Sequence, residues 1–238
     1  MSVSIIIPTL NERASIDALQ LQLDALEGKA DVLFSDGGST DGTYERIRYP
    51  KIQWAHFRGA QMNAAAREAH GEYLWFLHAD SRFSADSLQA IEESGFDVGC
   101  FRVQFDSSSA LLKLAAFWAS NWRVRARHIA FGDQGIFVKR SLFFEVGAYR
   151  DIPLMEDYQF SLDVRAAGHP VQLLDAPLVT SARRFQRGAA STLLQMKRLQ
   201  FQYRRGVDVA LLHKSYESHD GKDDDSLDRD HKNAGNVY

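Results

Sequence analysis

The chain has 238 residues, 45% of them hydrophobic and 25% charged, with a formal net charge of −3. These values fit a soluble globular protein with one large α/β domain, and the lone Cys100 excludes an internal disulfide and any multi-cysteine zinc centre. From Tyr216 onward seven acids face three bases, so that segment carries −4 and the remainder +1, which gives no support for nucleic-acid binding. No stretch approaches the ~18 apolar residues of a spanning helix, and the N-terminus lacks a basic-then-apolar leader pattern, so a cytoplasmic protein is expected.

In chain order, "VSIII" (3–7), "DVLFS" (31–35) and "YLWFL" (73–77) read as strands buried on both faces. Ile16, Leu19, Leu23 and Leu26 recur at helical spacing between the first two. "KIQWAHF" (51–57) predicts a weaker strand, followed by the alanine-rich helix of "GAQMNAAAREAHG" with Gly71 as its stop. The β-α-β-α-β-α-β order implies a mainly parallel sheet with helices on both faces and a ligand crevice beyond the carboxyl ends of the strands.

Further on, "VGCFRVQF" (98–105) alternates like a strand with one solvated face, and residues 110–127 predict one helix. "IAFGDQGIFVKRSLFFEVGAY" (129–149) reads as strand, glycine loop, strand and short helix. "MEDYQFSLDVRAAG" (155–168) predicts a helix stopped at Gly168, and "LVTS" precedes the arginine-rich "ARRFQR". The expected division is a domain over 1–213 and an acidic, disordered tail over 214–238.

Polar clusters follow three of these strands: "PTLNE", "SDGGSTDGT" and "HADS". Glycines in the second permit positive φ and close approach of a ligand, although a turn with an N-capped helix explains it as well. It is neither a Walker loop nor a dinucleotide fingerprint. Asp80 offers oxygen of the type that holds Mg²⁺ or Mn²⁺ together with substrate phosphates, or it caps the next helix. A strand-end histidine such as His78 is more often a packing residue than a ligand. Glu156 and Asp157 either complement a helix dipole or supply a general base.

Together, "SIIIPTLNE", "DGGSTDGT", a D-x-D-like element at "HAD" and the "ED" pair at 156–157 resemble family-2 glycosyltransferases, in the family's order and rough spacing over about residues 2–205. With "GAQMN", "LHADS" and "FGDQGIFV" the chain looks closest to a bacterial subgroup of stand-alone enzymes. The resemblance implies a Rossmann-like GT-A fold and an inverting, metal-assisted transfer of a sugar from a UDP- or GDP-sugar. The acceptor hydroxyl would belong to a glycan, a lipid-linked molecule or a small molecule, as in cell-envelope polysaccharide synthesis.

It assigns Pro8, Thr9, Glu12, Asp36, Gly37, Asp41 and Arg58 to the nucleotide, with Asp36 accepting from the base and Asp41 bracing its loop. Gln61, Asn63, Arg183 and Arg184 would meet the sugar and diphosphate, and Gly132, Asp133 and Gln134 would lie at the acceptor junction. Asp80, with His78 in place of the first acid, would hold Mn²⁺ or Mg²⁺; Asp157 would be the base, supported by Glu156. "ARRFQR" stands where family members often carry "QxxRW".

Two rival readings are a sugar-phosphate nucleotidyltransferase, which the missing "GxGxR"-type loop opposes, and a catalytically silent nucleotide-sugar-binding module. The basic, apolar stretch 191–206 is read either as an amphipathic helix for peripheral membrane contact or as core packing with a solvated basic face.

Overall fold

The computed structural model describes residues 2–220 except 115, 117–119, 183–184 and 186–188. The first half alternates as the hydrophobic runs require: β1 (Val3–Thr9), α1 (Arg13–Asp24), β2 (Asp31–Asp36), α2 (Thr43–Arg46), β3 (Lys51–Gln53), α3 (Arg58–Glu68), β4 (Tyr73–Phe76) and α4 (Ser87–Ser94). The second half adds β5 (Val98–Asp106), α5 (Ala110–Leu114), α6 (Trp122–Arg127), β6 (Phe137–Lys139), α7 (Arg140–Glu145), α8 (Glu156–Ala166), β7 (Gln172–Ser181), α9 (Ala189–Arg204) and α10 (Val209–Asp220).

The seven strands lie in the order β3-β2-β1-β4-β6-β5-β7. β1 pairs in parallel with β2 and β4, β2 with β3, and β5 with β7; β6 runs antiparallel to both β4 and β5. This is the mainly parallel, Rossmann-like sheet expected, with one reversed strand inserted at its centre.

Strand alternation sends side chains to two cores. Ile6, Leu33, Leu74 and Phe76 enter one, against α3 (Ala65, Ala66), α7 (Leu142, Phe143) and α8 (Phe160, Val164). Ile5, Ile7, Phe34 and Trp75 enter the other, under α1 (Ile16, Leu19, Leu23) and α4 (Leu88, Ile91). Cys100 lies in the first core, where burial pushes its thiol up, away from reactivity. A smaller cluster joins Ile129, Met155 and Tyr158 to Leu199 of α9 and Leu212 of α10.

Several boundaries differ from the sequence expectation. The strand "KIQWAHF" stops at Gln53, because that residue pairs with Asp36, where β2, its partner, itself ends. Of the helix expected over 110–127, Ala110–Leu114 and Trp122–Arg127 are α-helical and residues 116, 120 and 121 have π-helical geometry, while 115 and 117–119 lie outside the described residues; residues 129–131 are not a strand. Gly71 is not a helix stop: α3 ends at Glu68, and a Cβ at Gly71 would stand 2.5 Å from the Ser4 backbone nitrogen, so glycine is needed for close packing on β1. Gly168, at φ 90°, does follow the end of α8. The boundary expected at 213 falls inside α10, which continues to Asp220; residues 221–238 lie outside the described residues.

Candidate active site

The carboxyl ends of β1, β2 and β4 share one edge of the sheet, and the loops there are stitched to each other. Asp36, fully buried at the end of β2, accepts from the Gly38 and Ser39 amides at 2.9 and 2.8 Å, and from the Thr9 and Ser39 hydroxyls at 3.1 and 2.6 Å. Four donors fill the lone-pair sites of a carboxylate. Asp36 therefore braces its own loop, and a nucleotide base would have to displace one of these donors to reach it.

Asp41 accepts from the Arg13 amide at 3.1 Å and from the Thr43 amide and hydroxyl at 3.0 and 2.5 Å; the Thr43 hydrogen bond leads the effects that lower its pKa. The Glu12 amide donates to the Thr43 hydroxyl at 2.9 Å, so the loops after β1 and β2 close on each other through Glu12, Asp41 and Thr43. Pro8 and Thr9 are buried at the end of β1. Gly37 permits close approach, since a Cβ there would lie 2.3 Å from the Gln61 amide nitrogen. Gln61 donates to the His56 carbonyl at 2.7 Å.

Asn11 escaped the sequence reading. It adopts φ 55°, donates its backbone N–H to the Ser39 hydroxyl at 2.9 Å and accepts from the Thr40 amide at 2.9 Å. The available signal was an asparagine, a residue tolerant of the left-handed region, directly before an N-terminal helix turn.

A second group assembles around Arg58, the first residue of α3. Its Nε donates to Glu156 at 2.5 Å, one terminal nitrogen lies 3.3 Å from Asp157 Oδ2, and the other lies 3.1 Å from His78 Nε2. Glu156 and Asp157 open α8 and are 2% and 6% exposed. Asp157 also accepts from the Gly132 amide at 2.8 Å and from its neighbour Tyr158 at 2.7 Å. Burial pushes the Glu156 carboxyl up, opposed by Arg58 and reinforced by Asp157. Burial works to lower the Arg58 pKa, but attraction to Glu156 and Asp157 outweighs it and the net shift is upward. Gly132 has to be glycine: a Cβ would stand 2.6 Å from His78 Nε2 and 3.5 Å from Asp157 Oδ2.

The guanidinium of Arg58 is held by Glu156, Asp157 and His78. Asn63, expected beside the sugar, engages both ends of its amide with the Tyr149 backbone, at 2.7 and 3.1 Å. Gln134 takes a hydrogen bond from Arg123 at 2.8 Å, which ties the 132–135 loop, with Gly132 and Asp133, to α6. Arg183 and Arg184 lie outside the described residues.

The expected metal site fits in part. Asp80, half-buried after β4, has no side-chain partner among the described residues, and one carboxylate plus substrate phosphates is a normal way to hold Mg²⁺ or Mn²⁺. His78 fits less well, because the Arg58 guanidinium lies against the Nε2 that a metal would need. Among the described residues no group of three or more His, Cys, Asp or Glu side chains could hold an ion by itself.

This geometry can be set beside known proteins. Residues 4–94 match the model of glycosyl transferase family 2. The matched stretch contains Asp36, Arg58, His78 and Asp80, whereas Gly132, Glu156 and Asp157 lie beyond it. No curated protein matches the chain by sequence.

Among solved structures, the Staphylococcus aureus TarS fragment 1–349 superposes with a TM-score of 0.59 at 19% identity, over 76% of this chain and 60% of its own. The same fragment in complex with UDP-GlcNAc gives 0.60 at 19%, over 77% and 59%. The mannosyltransferase PcManGT of Pyrobaculum calidifontis, in complex with GDP-Man and Mn²⁺, gives 0.64 at 20%, over 92% and 65%. The chain thus has the GT-A fold of these proteins, and it spans less than two thirds of their lengths.

Proposed function

We propose that the protein is an inverting glycosyltransferase that moves a sugar from a nucleoside-diphosphate sugar to an acceptor hydroxyl, with Asp157 as general base. The observation that carries this reading is the junction at Arg58. One guanidinium joins the carboxylates that open α8 to His78, which follows β4 two residues before Asp80. An acid on α8 is thereby held beside the strand edge where such folds receive nucleotides. The family-2 match and the nucleotide-sugar complexes of two neighbours support the donor class.

In this scheme the stitched loops after β1 and β2, with Thr9, Glu12, Gly37 and Asp41, form the nucleotide bed. Asp80 is the residue that would hold a divalent cation, Mn²⁺ or Mg²⁺, which when bound would neutralise diphosphate charge. Asp157 takes the proton of the acceptor hydroxyl as that oxygen bonds to the anomeric carbon, and the carbon–oxygen bond to the nucleoside diphosphate breaks on the opposite face. A single displacement inverts the centre, and no covalent enzyme intermediate forms. Glu156 keeps Arg58 in place, and Arg58 in turn orients Asp157.

Isothermal titration of UDP, GDP and their sugar conjugates, with and without Mn²⁺, tests the donor site. One nucleotide should bind in a metal-dependent manner, and Asp80→Ala should abolish that dependence. Asp157→Asn should keep nucleotide affinity within about twofold and lower turnover by about 10²–10⁴-fold, the usual worth of a general base. Binding without turnover in the unaltered protein would instead establish a binding module, and no binding at all would remove the reading.

Peripheral membrane contact is a second part of the proposal. On α9, Leu194 and Phe201 are 70% and 51% exposed, in line with exposed Lys197, Arg198 and Arg205, while Leu199 packs inward. Among the described residues no helix is long and apolar enough to cross a membrane. Flotation with anionic liposomes at low salt should retain the protein, and Phe201→Asp should release it; failure to float removes the contact.

A further inference from the structure

Away from the strand edge, a cavity of about 710 Å³ opens between α6, α8, α9 and the turn leading to α10. Its volume falls within the range of small-molecule sites, roughly 300–1,000 Å³. Four arginines line it, Arg123, Arg127, Arg165 and Arg204, against a single acid, Asp208.

The four do not have the same role. Arg123 is fixed: it donates to the Ile129 carbonyl at 3.1 Å and to Gln134 at 2.8 Å, and its guanidinium lies 4.3 Å from the centre of the Phe131 ring. Arg165 donates to the Arg127 carbonyl at 3.1 Å, which draws α8 and α6 together at the rim. The guanidiniums of Arg127 and Arg204 have no protein partner among the described residues. Asp208 does not neutralise them: it accepts from the Ala210 amide at 2.8 Å at the start of α10, and pairs with none of the four.

Like charges gathered around one concavity repel each other, and an anion of two charges removes that penalty. Guanidinium forks match phosphate oxygens in pairs, which a scattered basic surface cannot do. Tyr158 and Tyr203 add aromatic walls for an organic group attached to the phosphate. We propose that this cavity binds a phosphate-bearing ligand at a site distinct from the nucleotide bed. The site shares the first turn of α8 with the candidate active site, since Tyr158 lines it and Asp157 is the preceding residue. It stands independently of the glycosyltransfer reading.

The test uses the full chain in EDTA, so that no metal-dependent donor binding interferes. Calorimetric titration with glycerol 3-phosphate and with pyrophosphate is paired with flotation on phosphatidic acid vesicles, vesicles of equal negative charge carried by a sulfated lipid serving as control. The double variant Arg127→Ala/Arg204→Ala, both exposed positions, is carried through every arm and its melting temperature is checked against the parent. Saturable binding of a soluble phosphate, weakened at least tenfold in the variant, supports the site and a soluble ligand. Binding confined to phosphatidic acid vesicles and lost in the variant supports the site and assigns the phosphate to a lipid headgroup. No phosphate binding in any arm, or binding that the variant leaves unchanged, overturns the proposal.

Discussion

Arg58 carries more of the site's electrostatics than any other side chain described. It is the counter-ion of two carboxylates that follow each other in sequence and are both buried, Glu156 and Asp157. Removing one partner from such a group leaves uncompensated buried charge, which costs about 3–5 kcal/mol. Arg58→Ala should therefore lower the denaturant midpoint strongly at neutral pH. The penalty should also depend on pH. Without Arg58 the Glu156 carboxyl rises further, and an acid whose folded pKa is raised contributes stability below its unfolded value, about 4.3, that is lost as pH rises through the folded value. The gap between variant and parent should shrink towards pH 4, and a penalty that is flat with pH would remove Glu156 as its source. The sequence marked all three residues, but not their pairing. Arg58 and Glu156 stand 98 positions apart, and no local pattern records which distant carboxylate a guanidinium will meet. Asp36 and Asn63 show the same limit: their residue types suggest ligand contacts, while the folded chain satisfies them internally.

Among the elements, α3 is clamped to the segment before α8 by Asn63. Asn63 holds the Tyr149 N–H and carbonyl, which fixes the segment before α8 against the alanine face of α3. Asn63→Ala would leave both backbone groups unpaired in a buried place, at about 1–3 kcal/mol for each. Urea denaturation should show that loss, and a change under about 0.5 kcal/mol would mean water replaces the amide. The strands were legible because β1, β2 and β4 are buried on both faces and therefore read as unbroken apolar runs. The reversed β6 was harder to place. Three residues, Phe137–Lys139, give no period, and their direction is set by β4 and β5, which flank the strand.

In the whole molecule, the C-terminal pair α9–α10 is fastened to the domain through the smallest of its three apolar clusters. Leu199 and Leu212, both deeply buried, meet Tyr158 and Ile129, and His213 places its ring 6.3 Å from that of Phe57, next to Arg58. Leu212→Ala should cost about 2–5 kcal/mol locally. Hydrogen exchange should quicken across 199–220 while β1, β2 and β4 stay protected, as expected of a separately opening unit. Uniform quickening would show that the pair and the sheet open together. The division of labour around Arg58 also has a consequence in time. At about 5–20 residues per second, a ribosome leaves the arginine without its acids for roughly 5–20 seconds. During that interval the loops after β1 and β2 already hold the hydrogen-bond partners they share with each other, all among residues 8–43. Under the proposed roles, a nascent chain stalled at residue 150 should already recognise a nucleotide, while Asp157, the proposed proton acceptor, has yet to be made.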